Sequence, residues 1–502
     1  MAVSDRAKLV IDTGKMWFGV IVSQIIGVVR GLIVPRLLTP AQYGLIGALS
    51  LTNQYAQYLD IGFHPTMRRE IPRLYGKGDT DGIESVKETT LAVNTISLAM
   101  YIFILIIYAI FFVKNNVVIW GLFAFTIFIV LSRFQLFLNT LFEARRKFGV
   151  ISISNILSAV LTLIILVPLI YWKKLYGYYV GIVLYEILVF LYLYSRRGEH
   201  LSIRYDWSRF KTLFVIGFPM FLMGIGGNIL VTIDRIMVIK YLTRTELGYY
   251  TIAGTIATYI LVLHANISKV IGPTIYETWG REEDVEKLKV YALKPTSSIT
   301  SITGLLIAIT MILMPILFQV VIPRYMPAVY PCAILLFAVY IRSTSVSIGE
   351  ILLAMNKQLK MFIFQMISLV IAIIAIYLFL HKGWGLIGVA TGEVIAIFIF
   401  NTILCVYTGR LIRFNLKDTI WFILDSIVPL IIVSFVVYYI LQKVPSPPYL
   451  NLRGFHPHII VGLKRLGILL VGLVPLFLYA QWRSNIFTII ILSIRRVIKR
   501  SK

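Results

Sequence analysis

Basic residues gather in alternate loops of this chain. About fourteen apolar segments run from Trp17 to Ala480, and the connections on one side hold most of the Lys and Arg. A helix needs about 20 apolar residues to cross a hydrocarbon core of about 30 Å, and segments of that length recur throughout. The pattern predicts an all-α polytopic membrane protein. Composition agrees, because 59% hydrophobic residues and a mean hydropathy of +0.85 over 502 residues exceed what a soluble fold carries. A formal charge of +25 would point to nucleic acid in a soluble chain. Here the cations sit in short loops between spans, so they report topology and no nucleic-acid partner is expected.

With the N-terminus inside, one face collects Arg68, Arg69, Arg73 and Lys77, then Arg145, Arg146 and Lys147, then Arg196, Arg197, Arg204, Arg209 and Lys211. It continues through Arg281, Lys287, Lys289 and Lys294 to Arg410, Arg413 and Lys417. The other face has only scattered charges such as Arg36, Lys114, Lys173 and Lys174. An even number of spans with both termini cytoplasmic satisfies this bias, and the expected location is the plasma membrane. The charged start of the chain runs into the first apolar segment without a small-residue cleavage pattern, so that segment is read as a retained helix. Cys332 and Cys405 both fall inside spans and suggest neither a disulfide framework nor a metal site.

Leu38-Thr39 followed by Tyr43-Gly44 reappears as Leu242-Thr243 followed by Leu247-Gly248, and Tyr75-Gly76-Lys77 reappears at the same offset as Trp279-Gly280-Arg281. Matches in polar connections, where chance similarity is rarer than in apolar helices, indicate a duplication. The expected organisation is an N-terminal lobe of six spans over 1–195, a cytoplasmic linker over 196–211 and a second six-span lobe over 212–408. A pair of further spans over 409–480 and a basic cytoplasmic tail over 481–502 complete it. Parallel lobes of this kind rock about a central cavity. Gly217-Phe218-Pro219 and Gly224-Ile225-Gly226-Gly227 would let the seventh span bend, or pack closely against a neighbour.

The run Arg36-Leu37-Leu38-Thr39-Pro40-Ala41-Gln42-Tyr43-Gly44, with Asp60-Ile61-Gly62 and the basic stretch from Arg68 to Lys77-Gly78-Asp79, resembles the Wzx-type polysaccharide flippases of the multidrug/oligosaccharidyl-lipid/polysaccharide exporter superfamily. Gln42 stands where that family usually has an acid. The resemblance covers nearly the whole chain in span number and loop pattern, and its motif is short. It implies translocation of a polyprenyl-pyrophosphate-linked oligosaccharide from the inner to the outer leaflet by alternating access, for cell-surface polysaccharide biosynthesis. Polysaccharide polymerases would be partners alongside the membrane lipids.

An anionic headgroup and a polar glycan do not cross hydrocarbon unaided, so a flippase must offer a wet, cationic route. Ser23, Gln24, Gly27 and Arg30 share a helix face in the first span, and Asn53, Gln57, Asp60 and His64 share one in the second. Gly224, Asn228, Thr232 and Arg235 do so in the seventh. Arg30, Arg235, Arg133 and Arg342 are the candidate headgroup path, because guanidinium stays charged and grips phosphate in bidentate fashion. Gln24, Asn53, Gln57, Asn228 and Thr232 would line the cavity. Snorkelling to the interface is the competing reading for Arg30 and Arg235. Asp234, Glu186, Glu393 and Asp60 are candidates for ion coupling, to H+ or Na+, or for counter-ions to the arginines.

Enzymatic reading fares worse. No paired juxtamembrane carboxylates, metal-ligand spacing or glycine-rich phosphate cradle suggests a glycosyltransferase or polymerase, and no cofactor is expected. A multidrug or cation antiporter of the same superfamily would want acids where this chain has arginines.

Overall fold

A computed structural model describes residues 3–145, 147–198, 201–282, 284–443 and 456–484. The basic tail beyond residue 484 and most of the proline-rich connection before α16 lie outside these. The described residues are helical almost throughout, without strands. Ten segments among them are long and apolar enough to cross a membrane.

The helices are α1 (Val3–Leu37), α2 (Pro40–Ala56), α3 (Phe63–Lys77), α4 (Thr80–Phe112), α5 (Asn116–Ala144), α6 (Phe148–Leu161) and α7 (Val167–Ser195). There follow α8 (Trp207–Tyr241), α9 (Arg244–Glu282), α10 (Val285–Val321), α11 (Val329–Ser343) and α12 (Val346–Ala354). The chain closes with α13 (Gln358–His381), α14 (Gly385–Leu411), α15 (Leu416–Lys443), α16 (His456–Gly472) and α17 (Val474–Ser484). Two compact units divide them. One is Met1–Arg235 with Leu242–Thr251, and the other is Ile236–Tyr241 with Ile252–Lys502.

Several of the expected spans are not single helices, and each interruption has a local cause. The second is divided between α2 and α3, because Ile61 (φ 50°) and Gly62 (φ 84°) take left-handed backbone conformations. A Cβ on Gly62 would lie 2.2 Å from the Gly217 carbonyl oxygen, so only glycine fits that turn. The apolar stretch Phe148–Ser195, 48 residues long, holds two passes. It reverses at Lys174 (φ 51°, ψ −122°), where Gly177 packs so closely on the Leu169 carbonyl that a Cβ would stand 1.8 Å away.

The repeated motif folds alike in both copies. Thr39 Oγ1 accepts the Gln42 N–H at 3.3 Å while Gln42 Oε1 accepts the Thr39 N–H at 3.0 Å, a reciprocal cap that starts α2. Thr243 and Glu246 make the same pair at the start of α9, at 3.2 and 2.9 Å. The acid that the family pattern places at position 42 is therefore replaced in its capping role by the Gln42 amide, whose oxygen accepts the same bond. The copies also meet each other within the first unit. Gly44 approaches the Arg244 backbone and Gly248 approaches the Pro40 backbone, so closely that added Cβ atoms would stand 2.1 and 1.9 Å from carbonyl oxygens. Such exchange of equivalent contacts is what a local two-fold produces.

The segment before α8 is tied to α4. Ser85 Oγ donates to Asp206 Oδ2 at 3.0 Å, Arg209 Nε donates to Ser85 Oγ at 3.4 Å, and Ser202 donates to Glu88. In the second unit, α10, α15, α16 and α17 share a core around Ile312, Val433, Ile440 and Leu473.

Candidate functional site

The break between α2 and α3 creates a tightly held polar cluster in the first unit. Unwinding the chain frees the Gln57 carbonyl, and Arg133 of α5 reaches it, Nη1 donating at 3.0 Å. Arg133 Nε and Nη2 both donate to Asn94 Oδ1 of α4, at 3.0 and 2.7 Å, and Nη2 lies 3.4 Å from Asp60 Oδ1. Asp60 Oδ2 accepts the His64 backbone N–H at 2.7 Å, starting α3, and lies 2.8 Å from His64 Nδ1. The Arg133 side chain has no exposed surface and that of Asp60 has 4%. A guanidinium bonded on every nitrogen and shielded from solvent holds three helices together. Asn53 and Gln57 belong to the same cluster, since Gln57 Nε2 and Ser132 Oγ both reach Asn53 Oδ1, at 3.3 and 3.4 Å.

Arg30 is placed differently. It lines a cavity of about 220 Å³ between α1 and α6 with Ser23, Gly27, Asn155, Ser158 and Thr162. Apart from Gly27 and Ala159 the wall is made of polar side chains, although both helices belong to membrane-crossing segments. Thr162 opens a turn of π-helix, Thr162–Leu166, and the wider coil there, with Thr162 Oγ1 bonded to the Ala159 carbonyl at 2.6 Å, flanks the cavity. Gln24 is half-buried on α1 and is not among the lining residues.

Further along, Thr232 Oγ1 lies 2.7 Å from Tyr55 Oη, joining α8 to α2. Asn228 is half-buried one turn earlier, and its carbonyl accepts the Thr232 hydroxyl at 2.8 Å. Asp234 is buried, and its Oδ1 accepts the Arg235 backbone N–H at 2.6 Å. Arg235 itself is half-buried. Glu186 of α7 is buried, has no ion pair among the described residues, and offers its backbone carbonyl to Gln135 Nε2 at 3.1 Å.

In the second unit, Arg342 stands at the end of α11, where Thr344 and Ser345 interrupt the helix before α12. Arg342 Nη2 lies 4.0 Å from Glu393 Oε1 of α14, and the arginine side chain keeps 28% exposure. His264 Nε2 and Thr303 Oγ1 are 2.9 Å apart in the same unit. An apolar groove of about 780 Å³ runs along α15 and α16, lined by Ile431, Phe435, Tyr439, Ile468 and Val471 among others.

The arginines expected on one path therefore occupy distinct environments, with Arg133 enclosed, Arg30 in a polar cavity and Arg342 half-open. Among the described residues no group of His, Cys, Asp and Glu could hold a metal ion. Sequence reasoning passed over Asn94, Asn155, Ser158 and Thr162. The last three are spaced as one helix face, the signal that did mark Ser23, Gly27 and Arg30, and could have been found by it. Asn94 is likewise spaced with Thr90 and Ser97 on one face of α4 and could have been found in the same way. Arg465 of α16, buried with Nη1 donating to the Ile312 carbonyl at 3.2 Å, was likewise missed.

A family model described as polysaccharide biosynthesis protein matches residues 12–279. No curated protein matches the chain. Among solved structures the chain is similar to an inward-facing multidrug resistance MATE family transporter of the MOP superfamily, with TM-score 0.66, 16% identity, and coverage of 78% of this chain and 94% of that one. It is similar to the lipid II flippase MurJ in an inward closed conformation, with TM-score 0.63, 15% identity, and coverage of 91% and 97%. A MOP superfamily transporter from Pyrococcus furiosus, noted for the reverse polarity of its binding pocket, is similar with TM-score 0.58, 17% identity, and coverage of 80% and 94%. At these identities the likeness is one of fold. This chain, a multi-pass membrane protein with the transporter fold, belongs to the polysaccharide biosynthesis family of Wzx-type flippases.

Proposed function

We propose that the protein moves a polyprenyl-pyrophosphate-linked oligosaccharide from the inner to the outer leaflet of the plasma membrane by alternating access, as a step in cell-surface polysaccharide assembly. The observation that carries this reading is Arg30 in its polar cavity. A guanidinium at membrane depth is costly unless it serves a partner, and a pocket walled by hydroxyls and an amide suits a phosphate or a sugar hydroxyl. The groove on α15 and α16 supports the reading from the other end of the cargo, since a wall of aliphatic and aromatic side chains suits a polyprenyl chain. Arg235 and Arg342, each keeping exposed surface, extend the headgroup path, while Asn53, Gln57, Asn228 and Thr232 brace it and Gln24 stands beside Ser23 on the same helix. Glu186, buried without an ion pair among the described residues, leads the groups proposed for coupling to H+ or Na+, ahead of Asp234, Glu393 and Asp60. The protein performs no covalent chemistry in this scheme, and polymerases would take up its product.

The test is reconstitution in liposomes with a fluorescent lipid-linked oligosaccharide loaded in one leaflet. Protein should expose the label to a membrane-impermeant quencher, and Arg30→Ala should slow exposure at least tenfold with the fold intact. Unchanged rates in Arg30→Ala would remove Arg30 from the path. Exposure no faster with protein than without it, across neutral and acidic glycans, would remove the function.

A further inference from the structure

We infer that the first unit carries a second binding site, outside the bilayer, for a soluble organic phosphate. The end of α3, the first turn of α4 and the turn after α5 enclose a cavity of about 870 Å³. That volume is in the range of small-molecule sites, roughly 300–1,000 Å³.

Its distance from the membrane follows from α4. The part of that helix without charged residues runs from Leu91 to Phe112, with Asn94, Thr95 and Ser97 as its polar members, and is about 33 Å long at 1.5 Å per residue, which matches the hydrocarbon core. Thr80, Ile83 and Glu84 line the cavity from the turns preceding Leu91. They therefore stand about 10–16 Å beyond the hydrocarbon boundary, whereas headgroups extend about 5–8 Å. A ligand there is reached from water, and with basic loops inside it is reached from the cytoplasm.

The wall selects charge and shape together. Arg145, half-buried, and Lys147, exposed, supply cations on one side, with the Thr80 hydroxyl as a further donor. Among the described lining residues Glu84 is the only carboxylate, and Lys87 Nζ meets it at 2.5 Å, so cations outnumber anions around the cavity. The wall also holds Pro72 and Ile83 with the ring of Tyr75, which is 77% exposed, a large apolar side chain left in water. Cations and hydroxyls facing an aromatic and aliphatic wall suit a phosphate ester with a ring or apolar body. An anionic lipid headgroup shares that chemistry, and only the depth argument separates the two sources. The Proposed function does not enter into this inference, apart from the inside placement of basic loops.

The experiment uses the full chain in phosphatidylcholine nanodiscs and follows radiolabelled uridine diphosphate and glucose 1-phosphate by equilibrium dialysis. At least one probe should bind saturably, weaken severalfold on raising salt, and lose at least tenfold in affinity in the Arg145→Gln/Lys147→Gln variant. Tyr75→Ala, a change at an exposed position that leaves the fold intact, should lower affinity for the nucleotide more than for inorganic phosphate. Arg30→Ala should bind both probes as the parent does, which separates a failure here from a failure of transport. Absence of saturable binding by both probes overturns the site. Binding that survives the double substitution, or that disappears when phosphatidylglycerol is added to the nanodisc, also overturns it, the latter in favour of a lipid headgroup.

Discussion

Arg133 and Arg342 each stand beside a broken helix, and each has a carboxylate within reach, yet the two pairs are built on opposite terms. Arg133 is enclosed, with Asn94 and the Gln57 carbonyl completing its bonds and Asp60 at 3.4 Å. Arg342 keeps 28% of its side-chain surface open, and its distance to Glu393 is 4.0 Å. A charge removed fully from water must be satisfied at every nitrogen, and that demand fixes the backbone around it. A half-exposed charge keeps part of its hydration and can exchange partners cheaply. The α2–α3 break thus reads as a fixed joint, while the arginine at the α11–α12 break keeps part of its surface exposed.

The sharpest way to break this contrast is Arg133→Met. It leaves Asp60 buried beside an apolar chain and should cost about 3–5 kcal/mol, seen as a lower unfolding temperature of the detergent-purified protein. Adding Asp60→Asn should recover part of the loss, because the uncompensated charge goes with it. Arg342→Met removes a side chain that keeps 28% exposure and stands 4.0 Å from Glu393, so it should cost less than Arg133→Met, and equal losses from the two would erase the contrast.

Next in size is the glycine contact between the repeated motifs. Gly44→Ala places a methyl against the Arg244 carbonyl and should cost about 1–3 kcal/mol in the same assay. Gly304→Ala in the second unit meets the Val433 Cγ2 at 3.1 Å and the Tyr340 Cε2 at 3.7 Å, both side-chain atoms, and should cost less. The reverse order would mean that the close approach of Gly44 and Gly248 is not rigid.

Smaller still are the caps. Thr39→Ala and Thr243→Ala should each cost about 1 kcal/mol and speed amide exchange at Gln42 and Glu246 respectively. Since the two caps have the same geometry, a marked inequality would show that one copy is held by other contacts.

The least effect is expected at Asp206. The N–H of Arg209, then the hydroxyl of Ser85 and the N–H of Ser208, hold its carboxyl below the usual carboxylate range. A depressed carboxyl favours the tied segment above the ordinary carboxylate pKa and loses that favour as pH falls through its own lowered value. Exchange at the Ser208 and Arg209 amides should therefore rise, relative to the intrinsic rate, only in that acid window. Asp206→Asn should abolish the dependence, and a rise at neutral pH would contradict the assignment.

Much of this architecture could be read before any coordinates. The crossing segments, the turn at Lys173 and Lys174 and the duplicated Leu-Thr motif all appear in the sequence, and the motif folds into matching caps. The polar faces at Ser23, Gly27 and Arg30 and at Asn53 and Gln57 were also legible, because three- and four-residue spacing survives whatever a helix packs against. The division of the second span at Ile61 and Gly62 was not, since the glycine there is demanded by the Gly217 carbonyl of a helix far along the chain.

What the chain alone determined is what accumulates residue by residue: hydropathy, loop charge and the repeat, each a property of neighbours in sequence. The tertiary structure decided which cation is spent and which remains open. Arg133 and Arg30 are indistinguishable as residues in apolar segments. One meets Asn94 and a freed carbonyl, while the other meets Asn155, Ser158 and Thr162 around a cavity. The cost of a buried charge depends on the partners that packing brings to it, and no local pattern carries that information.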